Sequence, residues 1–148
     1  MKNTILQKEK ELIENFSLLE EWENKYEYIL DYSKKMPLIS EQLKTEDNLV
    51  KGCQSKVWLH ATIEEGIIRY FADSDAEIPK GLTAMLIEIL NNNTQENIIK
   101  SEITFLKEAE IIYHLSPNRV KGINSVIARM KELAKMIQND AIHQEVYQ

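Results

Sequence analysis

The sequence predicts an α+β domain, a small antiparallel sheet of about three strands flanked by helices. Three observations point there. Apolar residues recur at helical spacing near both ends, in Leu19, Trp22, Tyr26, Ile29 and Leu30 and again in Val120, Ile123, Ile127, Met130, Ala134 and Ile137. In the middle the period falls to two, with Val57, Leu59, Ala61 and Ile63 alternating with Trp58, His60 and Thr62. The 148 residues are 43% hydrophobic and 28% charged, which suits one domain with a real core rather than a disordered chain.

Each element has a local cause. Thr4-Ile5-Leu6-Gln7 has the form of a capping box and opens a helix to about Phe16. Ser17-Leu18-Leu19-Glu20 repeats the signature and predicts the start of a second helix, which Met36-Pro37 stops. Leu49-Val50 is expected to add a short strand. The alternating run from Val57 is the first long strand, Glu64-Glu65-Gly66 the turn, and Ile67 to Phe71 the returning strand. Asp73-Ser74-Asp75 offers caps for a third helix carrying Leu82, Met85, Leu86 and Ile89, with Pro79 best accommodated if that helix begins near Ile78. Asn91-Asn92-Asn93 ends it, and Thr94 to Tyr113 reads as shorter helical pieces. Ser116 followed by Pro117 starts the final helix, proline being favoured at the first helical position. Residues 1–138 form one domain, and 139–148 a tail of weak periodicity that is expected to fray.

The formal net charge is −6, which argues against nucleic acid as the main partner. No stretch approaches the ~20 apolar residues of a membrane span, so no membrane is expected as a partner. The N-terminal segment lacks the apolar run of a secretory signal, and the chain has one cysteine; both point to a reducing cytoplasm. Positive charge is nevertheless concentrated locally. Lys51 and Lys56 flank the cysteine, and Arg119, Lys121, Arg129, Lys131 and Lys135 crowd the last helix.

That cysteine, Cys53, cannot close an internal disulfide or by itself supply the ligands of a structural zinc or iron–sulfur site. It is either a packed hydrophobe or a reactive thiol. Gly52, Gln54 and Ser55 around it suit an exposed loop, and Lys51 and Lys56 are expected to lower its pKa. A cysteine hydrolase would need a histidine within hydrogen-bond reach. His60 lies roughly 20 Å further along an extended strand, His143 falls in the tail, and His114 could approach only through tertiary folding. A hydrolase using Cys53 and His114 is one alternative, and a noncovalent adaptor in which Cys53 only packs is another. Asp73 and Asp75 read first as helix caps. Arg119, in a first helical turn where the macrodipole disfavours cations, reads either as functional or as a solvated surface residue.

Gly52-Cys53-Gln54-Ser55-Lys56-Val57-Trp58, followed by Asp73-Ser74-Asp75 and Ser116-Pro117-Asn118-Arg119, resembles the SufE family of sulfur acceptors. Trp22-Glu23-Asn24-Lys25-Tyr26 also looks like that family's second helix. The resemblance implies a fold like that of IscU-type scaffolds, and sulfur transfer rather than hydrolysis. Cys53 would take sulfane sulfur from the persulfide of a SufS-type cysteine desulfurase, stimulate that enzyme, and deliver the sulfur to an iron–sulfur scaffold such as a SufBCD-type complex. It implies that Arg119 helps engage the desulfurase, and that Asp75 supports the site near the cysteine loop with Gly52, Gln54 and Ser55. No resident cofactor is expected. Pyridoxal phosphate belongs to the desulfurase, and the protein is not a stand-alone enzyme.

Overall fold

The computed structural model describes residues 4–139. In chain order the elements are α1 (Ile5–Ser17), α2 (Trp22–Ser33), β1 (Val57–Glu64), β2 (Ile67–Ser74), α3 (Glu77–Leu90), β3 (Asn93–Thr94), α4 (Gln95–Lys100), α5 (Phe105–Glu108) and α6 (Pro117–Asn139). Single 3₁₀ turns occur at Glu41–Leu43, Glu46–Asn48 and Ile112–His114. The expected tail from residue 140 onward, with His143, lies outside the described residues.

The strands form one antiparallel sheet in the order β1-β2-β3, as the α+β reading requires. Val57 pairs with Ser74 and Glu64 with Ile67 across a two-residue hairpin loop, where Glu65 (φ 52°) and Gly66 (φ 78°) both take the positive φ of a type I′ turn. Alternation in β1 and β2 turns Val57, Leu59, Ala61, Ile68, Tyr70 and Ala72 into the core. β2 runs beyond the expected Phe71 to Ser74. Its far end is covered on the other edge by the Pro37–Ile39 segment, with Ala72 N–H donating to the Pro37 carbonyl (3.0 Å) and Ile39 N–H to the Ala72 carbonyl (3.1 Å).

The third strand is not Leu49-Val50. Leu49 makes only an isolated bridge with Trp58. β3 falls instead at the asparagines read as a helix stop. Asn92 reverses the chain at φ 63°, and Asn91 and Asn92 accept from Tyr70 N–H and Arg69 Nε on β2. An asparagine tolerates that left-handed backbone and lends a side-chain carbonyl to a neighbour, so one triplet both ends α3 and docks a strand.

Capping follows the sequence in two places and departs from it in two. Thr4 and Gln7 form the expected box at α1, and Ser116 Oγ accepts from Arg119 N–H at the start of α6, where Pro117 takes the first position. Ser17 does not cap α2. It is the last residue of α1, and its hydroxyl bonds back to the Glu14 carbonyl (2.6 Å), a local alternative always open to serine. Nor do Asp73-Ser74-Asp75 cap α3. That helix starts at Glu77 after Ala76, and Pro79 stands third, where its missing N–H forfeits no intrahelical bond.

α3 is buried on nearly every face and packs so tightly on α2 that a Cβ added to Gly81 would lie 2.1 Å from the Ile29 carbonyl oxygen. Tyr70 hydroxyl donates to the Met130 carbonyl (2.6 Å) and ties the sheet to α6. α5 is held at both ends by buried ionisable groups. The Glu9 carboxylate, 3% exposed, accepts from Thr104 and Phe105 N–H, and the Lys25 ammonium, 7% exposed, donates to the Ala109 carbonyl. No helix among the described residues is long and apolar enough to cross a membrane.

Candidate functional site

The Cys53 loop is built by its anchors. At its base Val50 N–H donates to the Val57 carbonyl (2.8 Å), so residues 51–56 form a short loop closed across its neck. Where it leaves, Asp75 Oδ1 accepts from Lys56 N–H (2.9 Å), Asp75 N–H donates to the Lys56 carbonyl (3.2 Å), and Ser74 Oγ donates to that same carbonyl (2.8 Å). Asp73 serves a neighbouring purpose. Burial pushes its carboxyl up, but bonds from Lys44, Ser74 N–H and Lys80 outweigh that and hold it below the ordinary value. Ser74 and Asp75 therefore clamp the loop rather than cap a helix. Gly52 turns the loop toward α6 at φ 97°, where a Cβ would meet Ser125 Oγ at 2.6 Å.

This geometry lays Cys53 against α6. Its thiol donates to the Gly122 carbonyl at 3.3 Å and is half-buried. Burial pushes the thiol above its ordinary value of 9.0. The expectation that Lys51 and Lys56 lower it is corrected. Both lysines are exposed, and the one polar partner of Sγ among the described residues is an acceptor, which favours the protonated thiol.

Below the loop a cavity of about 390 Å³ opens between the start of β1, α3 and α6, room for about a dozen waters. Cys53, Gln54 and Ser55 border it from the loop, and Ser116, Asn118 and Arg119 from the first turn of α6. Val57, Ile78, Leu82, Ile123 and Val126 give it an apolar interior, together with Thr83. The Thr83 hydroxyl is fully buried and has no hydrogen-bond partner among the described residues, a state that ordinarily costs ~1–3 kcal/mol.

The fold thus brings Cys53, Gln54, Ser55 and Arg119 to one cavity, with Gly52 and Asp75 shaping the loop. Arg119 is exposed at the rim and makes no ion pair among the described residues. His114 is not brought there. It stacks on Trp22 with ring centroids 4.4 Å apart and does not line the cavity. His60 stands in the middle of β1, paired with Phe71. No His, Lys, Asp or Glu lines the cavity among the described residues, so no general base faces the thiol, and the Cys53–His114 pair of a hydrolase is not formed. Sequence reasoning missed Thr83 and Gly122. Each had a signal, a lone hydroxyl in the apolar run Leu82 to Leu86 and a glycine inside a helix.

Comparison with known proteins follows the same outline. The sequence matches the family described as SufE, Fe-S metabolism associated domain, over residues 10–134. A protein of Rhizobium meliloti (strain 1021), named as an uncharacterized SufE-like protein, is 34% identical over 130 residues, covering 84% of this chain and 93% of its own. The solution structure of a hypothetical protein from Thermus thermophilus superposes with a TM-score of 0.75 at 22% identity, covering 89% of this chain and 96% of that one. That likeness bears on the fold alone.

Proposed function

The chain belongs to the SufE family and to Fe–S metabolism, and on that premise we propose that it is a sulfur acceptor whose Cys53 carries one sulfane sulfur as a persulfide. The observation that carries the reading is a single cysteine half-buried at a cavity that no general base faces among the described residues. Hydrolysis needs such a base. Thiol exchange needs only a thiolate and access for the incoming sulfur.

In the proposed step the Cys53 proton passes to water and the thiolate attacks the outer sulfur of a donor persulfide. A new S–S bond forms at Cys53, the donor's S–S bond breaks, and the inner sulfur leaves with the electron pair as a thiolate. The donor in this reading is a SufS-type cysteine desulfurase, whose pyridoxal phosphate supplies the chemistry that removes sulfur from L-cysteine. The recipient is an iron–sulfur scaffold of the SufBCD type. The raised thiol pKa keeps Cys53 quiet at rest, and docking that draws Sγ off the Gly122 carbonyl removes the acceptor favouring its neutral form. Arg119, unpaired at the rim among the described residues, is the cation a partner would meet. Asp75 acts through the loop it clamps.

Incubation with the desulfurase and L-cysteine tests this. The intact mass is expected to rise by one sulfur atom, and Cys53→Ser to abolish the gain. A wild-type protein that stays unmodified overturns the proposal.

A further inference from the structure

Every buried neighbour of Thr83 along α3 is apolar or glycine, from Ile78 through Leu82, Ala84 and Met85. A helical threonine ordinarily turns its hydroxyl back onto a carbonyl three or four residues earlier. Thr83 Oγ1 does not, and it is the only buried side-chain oxygen or nitrogen without a partner among the described residues. The residue is 0% exposed and lines the Cys53 cavity. Of the cavity's other side chains that bear oxygen or nitrogen, Gln54, Ser116, Asn118 and Arg119 belong to exposed residues at its mouth and Ser55 to a half-buried residue of the cysteine loop. A donor with nothing to donate to therefore stands in the apolar interior.

What Cys53 needs changes when it gains a sulfur. As a thiol it has a proton to give, and the Gly122 carbonyl takes it at 3.3 Å. The terminal sulfur of a deprotonated persulfide has no proton and calls for donors instead. Gly122 cannot provide one from its carbonyl, whereas the Thr83 hydroxyl can.

We propose that Thr83 Oγ1 is the donor of a sulfur-holding subsite, receiving the anionic terminal sulfur of a Cys53 persulfide inside the cavity. Thr83 is then a positioning residue for the cargo. The inference rests on the acceptor reading of Cys53, and it fixes where the cargo is kept. The stored sulfur lies away from solvent, and the hydroxyl favours its ionised form.

The test uses the full chain and loads it in two ways, with the desulfurase plus L-cysteine and with sodium polysulfide alone. In the second, the Cys53 thiolate attacks the terminal sulfur of the polysulfide, and the shortened polysulfide leaves with the electron pair. Two quantities are followed after desalting, the half-life of the persulfide by intact mass and the pH midpoint of its alkylation by iodoacetamide. Thr83→Val is expected to shorten the half-life about tenfold, the scale of one hydrogen bond to a charged acceptor, and to raise the midpoint. Thr83→Ser is expected to retain both values. A valine variant with wild-type half-life and midpoint overturns the proposal, as does a wild-type chain that polysulfide cannot load. If Thr83→Val does not fold, Thr83→Ala carries the same comparison. Loading by polysulfide but not by the desulfurase, with the Thr83 dependence intact, removes the acceptor reading and leaves the subsite standing.

Discussion

Gly52→Ala is the sharpest probe of how the cysteine loop is held. At φ 97° the backbone of residue 52 lies where a side chain is strained, by ~1–3 kcal/mol. The new Cβ would also lie 2.6 Å from Ser125 Oγ, an atom engaged with the Lys121 carbonyl at 3.0 Å. Displacing it surrenders a hydrogen bond worth ~0.5–1.5 kcal/mol. Against this, alanine loses less entropy on folding, which returns ~0.4–1 kcal/mol. The net is a destabilisation of ~1–3 kcal/mol, or a fall in Tm of about 3–10 °C for a chain of this size. The loop can escape by lifting from α6, which parts Cys53 from the Gly122 carbonyl and raises its alkylation rate at fixed pH. Thermal unfolding by circular dichroism and iodoacetamide kinetics read the two effects. Adding Ser125→Ala removes the clash and leaves the φ strain, so the double variant should recover only part of the lost Tm. Unchanged Tm and alkylation in Gly52→Ala would refute the reasoning, and full recovery in the double variant would refute its strain component.

Three further outcomes are expected. Asp75→Asn keeps an oxygen for Lys56 N–H and should accept sulfur at close to the wild-type rate, whereas Asp75→Ala should fall about fivefold, the worth of one ordinary hydrogen bond; equal loss in both would instead mark a charge contact with the partner. Alkylation of unloaded Cys53 should titrate with a midpoint above 9.0. Since the folded state favours the protonated thiol, any stability linked to this group is present below 9.0 and lost as pH rises through the higher folded value; a midpoint at or below 9.0 would contradict the burial argument. Gly81→Ala should destabilise by ~3 kcal/mol despite a gain in helix propensity of ~1 kcal/mol, because its Cβ would meet a backbone oxygen of α2 at 2.1 Å. A urea midpoint at or above wild type would show that α2 and α3 part more easily than their contact implies.

The elements whose order comes from period and local caps were legible in the sequence. Thr4 with Gln7, the alternating strand from Val57, and Ser116 before Pro117 each announce themselves within a short stretch of chain. β3 was not legible, because two residues have no period and their pairing is written in Asn91 and Asn92 reaching across to β2. Ser17-Leu18-Leu19-Glu20 misled because serine can bond backward into the helix it ends as readily as forward into one it starts. At the site, Cys53 and its loop were readable from neighbouring residues. The sign of its pKa shift was not, since burial sets it, and that burial comes from seating the thiol against a helix 69 positions away. Asp75 bonds Lys56 at the end of the cysteine loop instead of capping α3, a contact across 19 positions that no local pattern announces.

The bond from Cys53 to Gly122 also orders events during synthesis. Translation at ~5–20 residues per second leaves an interval of roughly 3–14 s between making the thiol and making the carbonyl that seats it, a gap of 69 residues along the chain. Glu9 and Lys25 wait longer still, for α5 partners 95 and 84 residues on. The nascent chain thus carries its one cysteine before the helix that covers it exists. Oxidants meet that thiol most freely on the ribosome, before the finished protein can shelter it.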